Sequence, residues 1–166
     1  MEQGQTAQSA MASELEYVGF WARTGATIVD SIIFLAVIYP PLLTIYGMDY
    51  LQGYHGFVAG PADLLLSWIF PIVATVLFWK YRQATPGKML VKAKIVDAKT
   101  GGEASTGQLI GRYFAYILSM LPLCLGYIWV AFDSKKRGWH DILAGTVVVR
   151  PKNHGPEEVR FEGVRK

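Results

Sequence analysis

Asp30 constrains this chain more than any other residue. It sits inside the apolar run Ile28-Val29-Asp30-Ser31-Ile32-Ile33-Phe34-Leu35-Ala36-Val37-Ile38. A carboxylate near the middle of a membrane-spanning helix costs on the order of 2.5–3.5 kcal/mol on insertion scales. Such a group needs a partner, a water-filled cavity or a task. Arg23 lies seven residues earlier, two helical turns away, so the two side chains share a face about 10 Å apart along the axis. Thr27 and Ser31 lie on or beside that face. The resulting polar stripe must look onto protein or water rather than lipid.

Composition agrees with a membrane setting. Of 166 residues, 52% are hydrophobic and only 17% charged, where a soluble domain carries roughly 25% charged residues. The length suits one domain. Residues 1–16 contain no Lys or Arg and no apolar centre. They read as a disordered tail rather than a signal peptide. The folded part is expected over 17–150, with a polar tail over 151–166. Cys124 is the one cysteine, which excludes an intramolecular disulfide and argues against a cysteine metal site.

The first span is expected over about Val18–Tyr39, entered through the aromatic residues Tyr17, Phe20 and Trp21 and disrupted at Pro40-Pro41. The second runs over about Ala62–Tyr81, starting at Pro61 and Asp63 and kinked near Pro71. Thr85-Pro86-Gly87-Lys88 then turns the chain into a strand over Met89–Asp97, and Thr146–Val149 supplies a second strand. Each is the other's obvious partner, because unpaired strand backbone is costly.

The apolar stretch Gln108–Asp133 admits two readings. As one straight helix of about 39 Å it spans. It then separates the two strands, and it places seven Lys or Arg (80–112) opposite the eight of 134–166, against the positive-inside tendency. Broken at Pro122, it gives half-helices of about 21 Å and 16 Å, each too short to cross. The re-entrant hairpin satisfies both charge and pairing. The expected fold is an all-α membrane protein: two transmembrane helices, a re-entrant helical hairpin (or a third span) and a short cytoplasmic β-strand pair. Both termini fall in the cytoplasm.

Several features together resemble the RDD family of bacterial membrane proteins. Gly19-Phe20-Trp21-Ala22-Arg23 leads to Asp30; Thr85-Pro86-Gly87-Lys88 precedes the strand ending Val96-Asp97. Arg112 opens the third apolar region, and Gly138-Trp139-His140-Asp141-Ile142-Leu143-Ala144-Gly145-Thr146 closes the domain. The resemblance covers about Gly19–Arg150. It implies that Arg23 is the name-giving arginine, Asp30 the first aspartate and Asp141 the second, with Asp133 the alternative. It further implies a multi-pass protein of the bacterial inner membrane. For activity it points to transport, of monovalent cations against protons.

The residues themselves leave two functions open. Asp30 could exchange a proton for Na⁺ or Li⁺, with Thr27, Ser31 or a carbonyl freed by Pro71 completing an oxygen shell and Arg23 tuning it. Asp141 would then be a cytoplasmic gate or relay. Alternatively the charges are a structural clamp in a non-transporting scaffold or accessory subunit. In that reading Asp30 pairs with an arginine, Arg112 being a second candidate, and Asp141 pairs with Arg112, Lys88 or Arg23. His140 offers a response to cytoplasmic pH. With His55, His140 and His154 as the only histidines, the spacing supports no metal centre. The sequence offers no nucleotide-binding loop, no enzyme constellation and no cofactor. The basic clusters suit anionic lipids at the cytoplasmic face rather than nucleic acid. Two spans and a hairpin enclose little volume, so a transporter of this size is expected to be a homo-oligomer.

Overall fold

The computed structural model describes residues 14–53, 56–122 and 124–152. Strand β1 (Leu15–Tyr17) leads into helix α1 (Phe20–Tyr46), whose 27 residues extend about 40 Å. Ile32, Leu35 and Val37 on its outer side are each at least half exposed, as lipid-covered residues are. The prolines 40 and 41 do not end the helix. Thr44 donates its hydroxyl to the carbonyls of Pro40 and Pro41 at 2.8 and 3.0 Å, and apolar helices tolerate proline where freed backbone groups find such substitutes.

After a 3-10 turn (Met48–Gln52), the chain returns through α2 (Pro61–Asp63), a π-helical turn (Leu64–Ile69) and α3 (Phe70–Arg82). The kink expected near Pro71 takes the form of that π-turn. Proline cannot donate to the carbonyl four residues back and crowds it, and the widened turn relieves both. Asp63 anchors this end, accepting from Ala59 N, Ser67 Oγ and Tyr50 Oη at 2.7–2.8 Å.

Thr85 begins the short helix α4 (Pro86–Leu90), followed by β2 (Lys94–Asp97). The strand expected from Met89 therefore starts later, because Pro86 at the first helical position commits the next residues to a turn of helix. The expected pairing of β2 with β3 (Thr146–Pro151) is present and antiparallel, in register Lys94↔Val149 to Asp97↔Thr146. The sheet order is β1-β3-β2. Strand β1 covers the second edge of β3, whose backbone groups would otherwise lack partners. Residues 15 and 16, expected in the tail, thus belong to the fold, and Glu16 is buried against Arg150 at 2.5 Å. The remaining tail residues, 1–13 and 153–166, lie outside the described residues.

Helix α5 (Thr106–Met120) starts with a capping box, Ser105 with Gln108. The chain breaks around Pro122 and continues as α6 (Leu125–Ile128) and a 3-10 turn (Trp129–Ala131), bent by 112° from α5. A Cβ on Gly126 would stand 2.6 Å from Ser119 Cα, so only glycine lets α6 fold back this closely. Helix α7 (Trp139–Ala144) then leads into β3. Among the described residues, two helices are long and apolar enough to cross a membrane, and the bent pair adds a third only if it counts as one broken span. The strands that flank it in sequence, β2 and β3, pair with each other. One sheet face packs Tyr17, Val96, Val147 and Val149; the other, with Val18, Ile95 and Val148, packs Trp79 and Leu109 of α3 and α5.

Candidate functional site

The face of α1 carrying Arg23 and Asp30 is turned inward, and each residue is 9% exposed. The two are not paired with each other. Arg23 donates from Nη1 to Asp141 Oδ2 at 2.5 Å, from Nη2 to the Lys136 carbonyl at 2.5 Å, and from Nε to the Val18 carbonyl at 2.9 Å. Arg112, fully buried on α5, ion-pairs with Asp141 Oδ1 and donates to Thr146 Oγ1 at 2.5 Å. Its guanidinium lies over the rings of Trp79 and Tyr116, 5.5 and 5.7 Å from their centroids.

Asp141 is thus the hub, its two oxygens divided between two arginines. The fold places it there because it is the third residue of α7, where an acid reaches back to the helix start; Gly138 N donates to Oδ2 at 2.9 Å. Burial alone would raise its pKa, but Arg112 and then Arg23 hold the carboxyl well below the usual carboxylate range. Of the sequence alternatives for Asp141, Arg23 and Arg112 are its partners and Lys88 is not.

Asp30 is held by neutral donors. Thr85 Oγ1 donates to Oδ2 at 2.5 Å and Gly87 N to Oδ1 at 2.7 Å. The acid therefore caps the start of α4, where orphan N–H groups favour an anion. The contact is tight: a Cβ on Gly87 would meet the Ala26 carbonyl oxygen at 2.0 Å. This corrects the expected pairing of Asp30 with an arginine. Neither Arg23 nor Arg112 is the partner of Asp30. Thr27 and Ser31 do not join it either, since their hydroxyls donate to the carbonyls of Arg23 and Thr27, four residues back on their own helix, each at 3.0 Å.

His140 is 3% exposed, stacked on Tyr116 at 4.2 Å between ring centroids, with Nδ1 3.3 Å from Ser119 Oγ. Burial first, then the cations Arg112, Arg23 and Lys88, push its pKa down to about 3 against the pull of Asp141. It stays neutral through the physiological range, which removes the pH response offered by the sequence. Asp133 belongs to a separate turn: it accepts from Lys135 N, Arg137 N and Arg137 Nε at 3.0–3.2 Å. Burial would raise its pKa, but the bonds from Arg137 lower it. Asp141, not Asp133, is therefore the aspartate that joins the arginines.

Sequence reasoning did not assign Thr85 and Gly87 to Asp30, nor Thr146 and Tyr116 to Arg112. A signal for the first pair was present, because Thr-Pro marks a helix start and a helix start attracts an anion. Nothing local signalled the second pair.

No solved structure matches the chain. Among curated relatives, the uncharacterized protein YxaI of Bacillus subtilis (strain 168) is 35% identical over 146 residues, covering 79% of this chain and 95% of the relative. The uncharacterized membrane protein YteJ of the same organism is 29% identical over 144 residues, 82% of each chain. The uncharacterized protein RP437 of Rickettsia prowazekii (strain Madrid E) is 41% identical over 75 residues, or 45% of this chain and 41% of the relative. The model of the RDD family matches residues 17–145, a stretch that contains Arg23, Asp30, Arg112 and Asp141 together, and the chain is a membrane protein belonging to the RDD family.

Proposed function

We propose that this chain is a multi-pass scaffold or accessory module of the bacterial inner membrane, in which the buried charges clamp the helices onto a cytoplasmic sheet. The observation that carries this reading is the occupancy of the two carboxylates. All four of their oxygens already face fixed donors or guanidiniums. A cation site needs the opposite, several oxygen ligands turned toward one point. The orientation follows from charge: the segment 47–60 between the long helices carries no Lys or Arg, and the basic residues lie in segments that lead to the sheet. The bent pair α5–α6 is re-entrant in this reading, supported by the pairing of the strands that flank it in sequence.

Proteoliposomes test the function directly. The native protein should move neither Na⁺ nor Li⁺ under an imposed pH gradient, and Asp30→Asn should destabilise the protein by about 1–3 kcal/mol by leaving buried donors mismatched. A pH-coupled cation flux that disappears in an Asp30→Asn chain of undiminished melting temperature would replace the clamp with ion exchange.

A further inference from the structure

The turn after α4 and the end of β3 enclose a second basic feature, apart from the clamp. A pocket of about 260 Å³ is lined by Leu90, Val91, Lys92, Arg150, Pro151 and Lys152. Three of the six are cations and none is an acid. Arg150 is committed to Glu16, but among the described residues the side chains of Lys92 and Lys152 make no hydrogen bond or ion pair. Lys92 also holds a left-handed backbone, φ +55°, which costs a non-glycine residue about 1–2 kcal/mol. Beside the cations, Leu90 is 72% exposed. This pairs an apolar side chain with ammonium groups, the two halves of an amphiphile's recognition.

The level of the pocket is set by its neighbours. Helix α4 packs on the first turns of α1 through Gly87 and Ala26. Trp21 on α1 and Tyr81 on the last turn of α3 are 82% and 78% exposed, as residues of an interfacial aromatic belt are. We propose that this pocket binds the phosphate headgroup of an anionic lipid, with Lys92 and Lys152 on the phosphate and Leu90 against the acyl region. The assignment rests on the reading that puts the sheet at the cytoplasmic face, the leaflet surface on which polybasic groups act.

The test is native mass spectrometry of the full chain in detergent, titrated with phosphatidylglycerol and with phosphatidylcholine of equal chain length. The native protein should retain phosphatidylglycerol preferentially. Replacing Lys92→Gln and Lys152→Gln should reduce that preference about fivefold per lysine. Lys92→Gly should lose the same share while melting no lower than the native chain, because glycine accepts the left-handed backbone. Three results would each overturn the proposal: no preference for the anionic lipid, an equal loss from Lys80→Gln with Lys99→Gln, or displacement of the lipid by millimolar inorganic phosphate. Orientation is read separately, by labelling Ser134→Cys in a Cys124→Ser chain. Labelling in inside-out vesicles alone preserves the topology, so lost lipid selectivity then counts against the pocket and not against the scaffold reading.

Discussion

Asp141 and Asp30 are both buried carboxylates, yet they are stabilised in opposite ways. Asp141 sits between two guanidiniums contributed by α1 and α5; Asp30 meets only a hydroxyl and a peptide N–H at the start of α4. The first is a charge-compensated joint between elements 118 residues apart in sequence. The second is a cap that locates one short helix. Counter-charges hold the Asp141 carboxyl below the usual carboxylate range, whereas Asp30 is positioned by hydrogen-bond geometry. The contrast predicts that losing Asp141 disrupts the whole assembly and losing Asp30 loosens one turn.

The largest effect should come from Asp141→Asn. It leaves Arg23 and Arg112 buried without their counter-charge, a loss of about 3–5 kcal/mol. Chemical or thermal unfolding in detergent measures it, and a loss no greater than that of Asp30→Asn would erase the distinction between hub and cap. Next is Gly87→Ala. The added methyl meets backbone rather than a movable side chain, so α4 must retreat from α1 at about 1–3 kcal/mol. If Asp30 locates α4 through this contact, hydrogen exchange at residues 86–90 should rise while exchange around α7 stays unchanged.

The smallest effect is a pH dependence on the Asp141 side. The folded pKa of His140, about 3, lies below the ordinary imidazole value of 6.5 that holds in the unfolded chain. Between those values the unfolded chain binds a proton that the folded chain refuses. Its stabilising contribution is therefore complete above pH 6.5 and declines as pH falls, by about 1.4 kcal/mol per unit. Unfolding at pH 7.5 and 5.5 should reveal this difference, and His140→Asn should remove it. An undiminished slope in that variant would assign the effect to another group.

Much of the architecture was legible locally. The long apolar runs marked two helices able to cross, Pro122 marked the break in the third region, alternation marked a strand of which Lys94–Asp97 forms, and the run Thr146–Val149 marked β3. The shared face of Arg23 and Asp30 followed from helical period alone. Strand β1 was not legible, because three residues at the end of a polar segment carry no period and gain their structure only from the open edge of β3. The hydrogen bonds of Thr27 and Ser31 were hidden for a related reason: a hydroxyl on a helix donates to the carbonyl four residues behind it before it reaches a neighbouring element.

By itself the sequence determined which segments are apolar enough to cross, and that the face carrying Arg23 and Asp30 turns away from lipid. Those properties depend on nearest neighbours along the chain and on the cost of placing charge in oil. Only the tertiary structure decided that Arg23 reaches Asp141 while Asp30 takes Thr85 and Gly87. Partner choice depends on which donors the fold brings within about 3 Å, and several chemically equivalent donors were available to each acid.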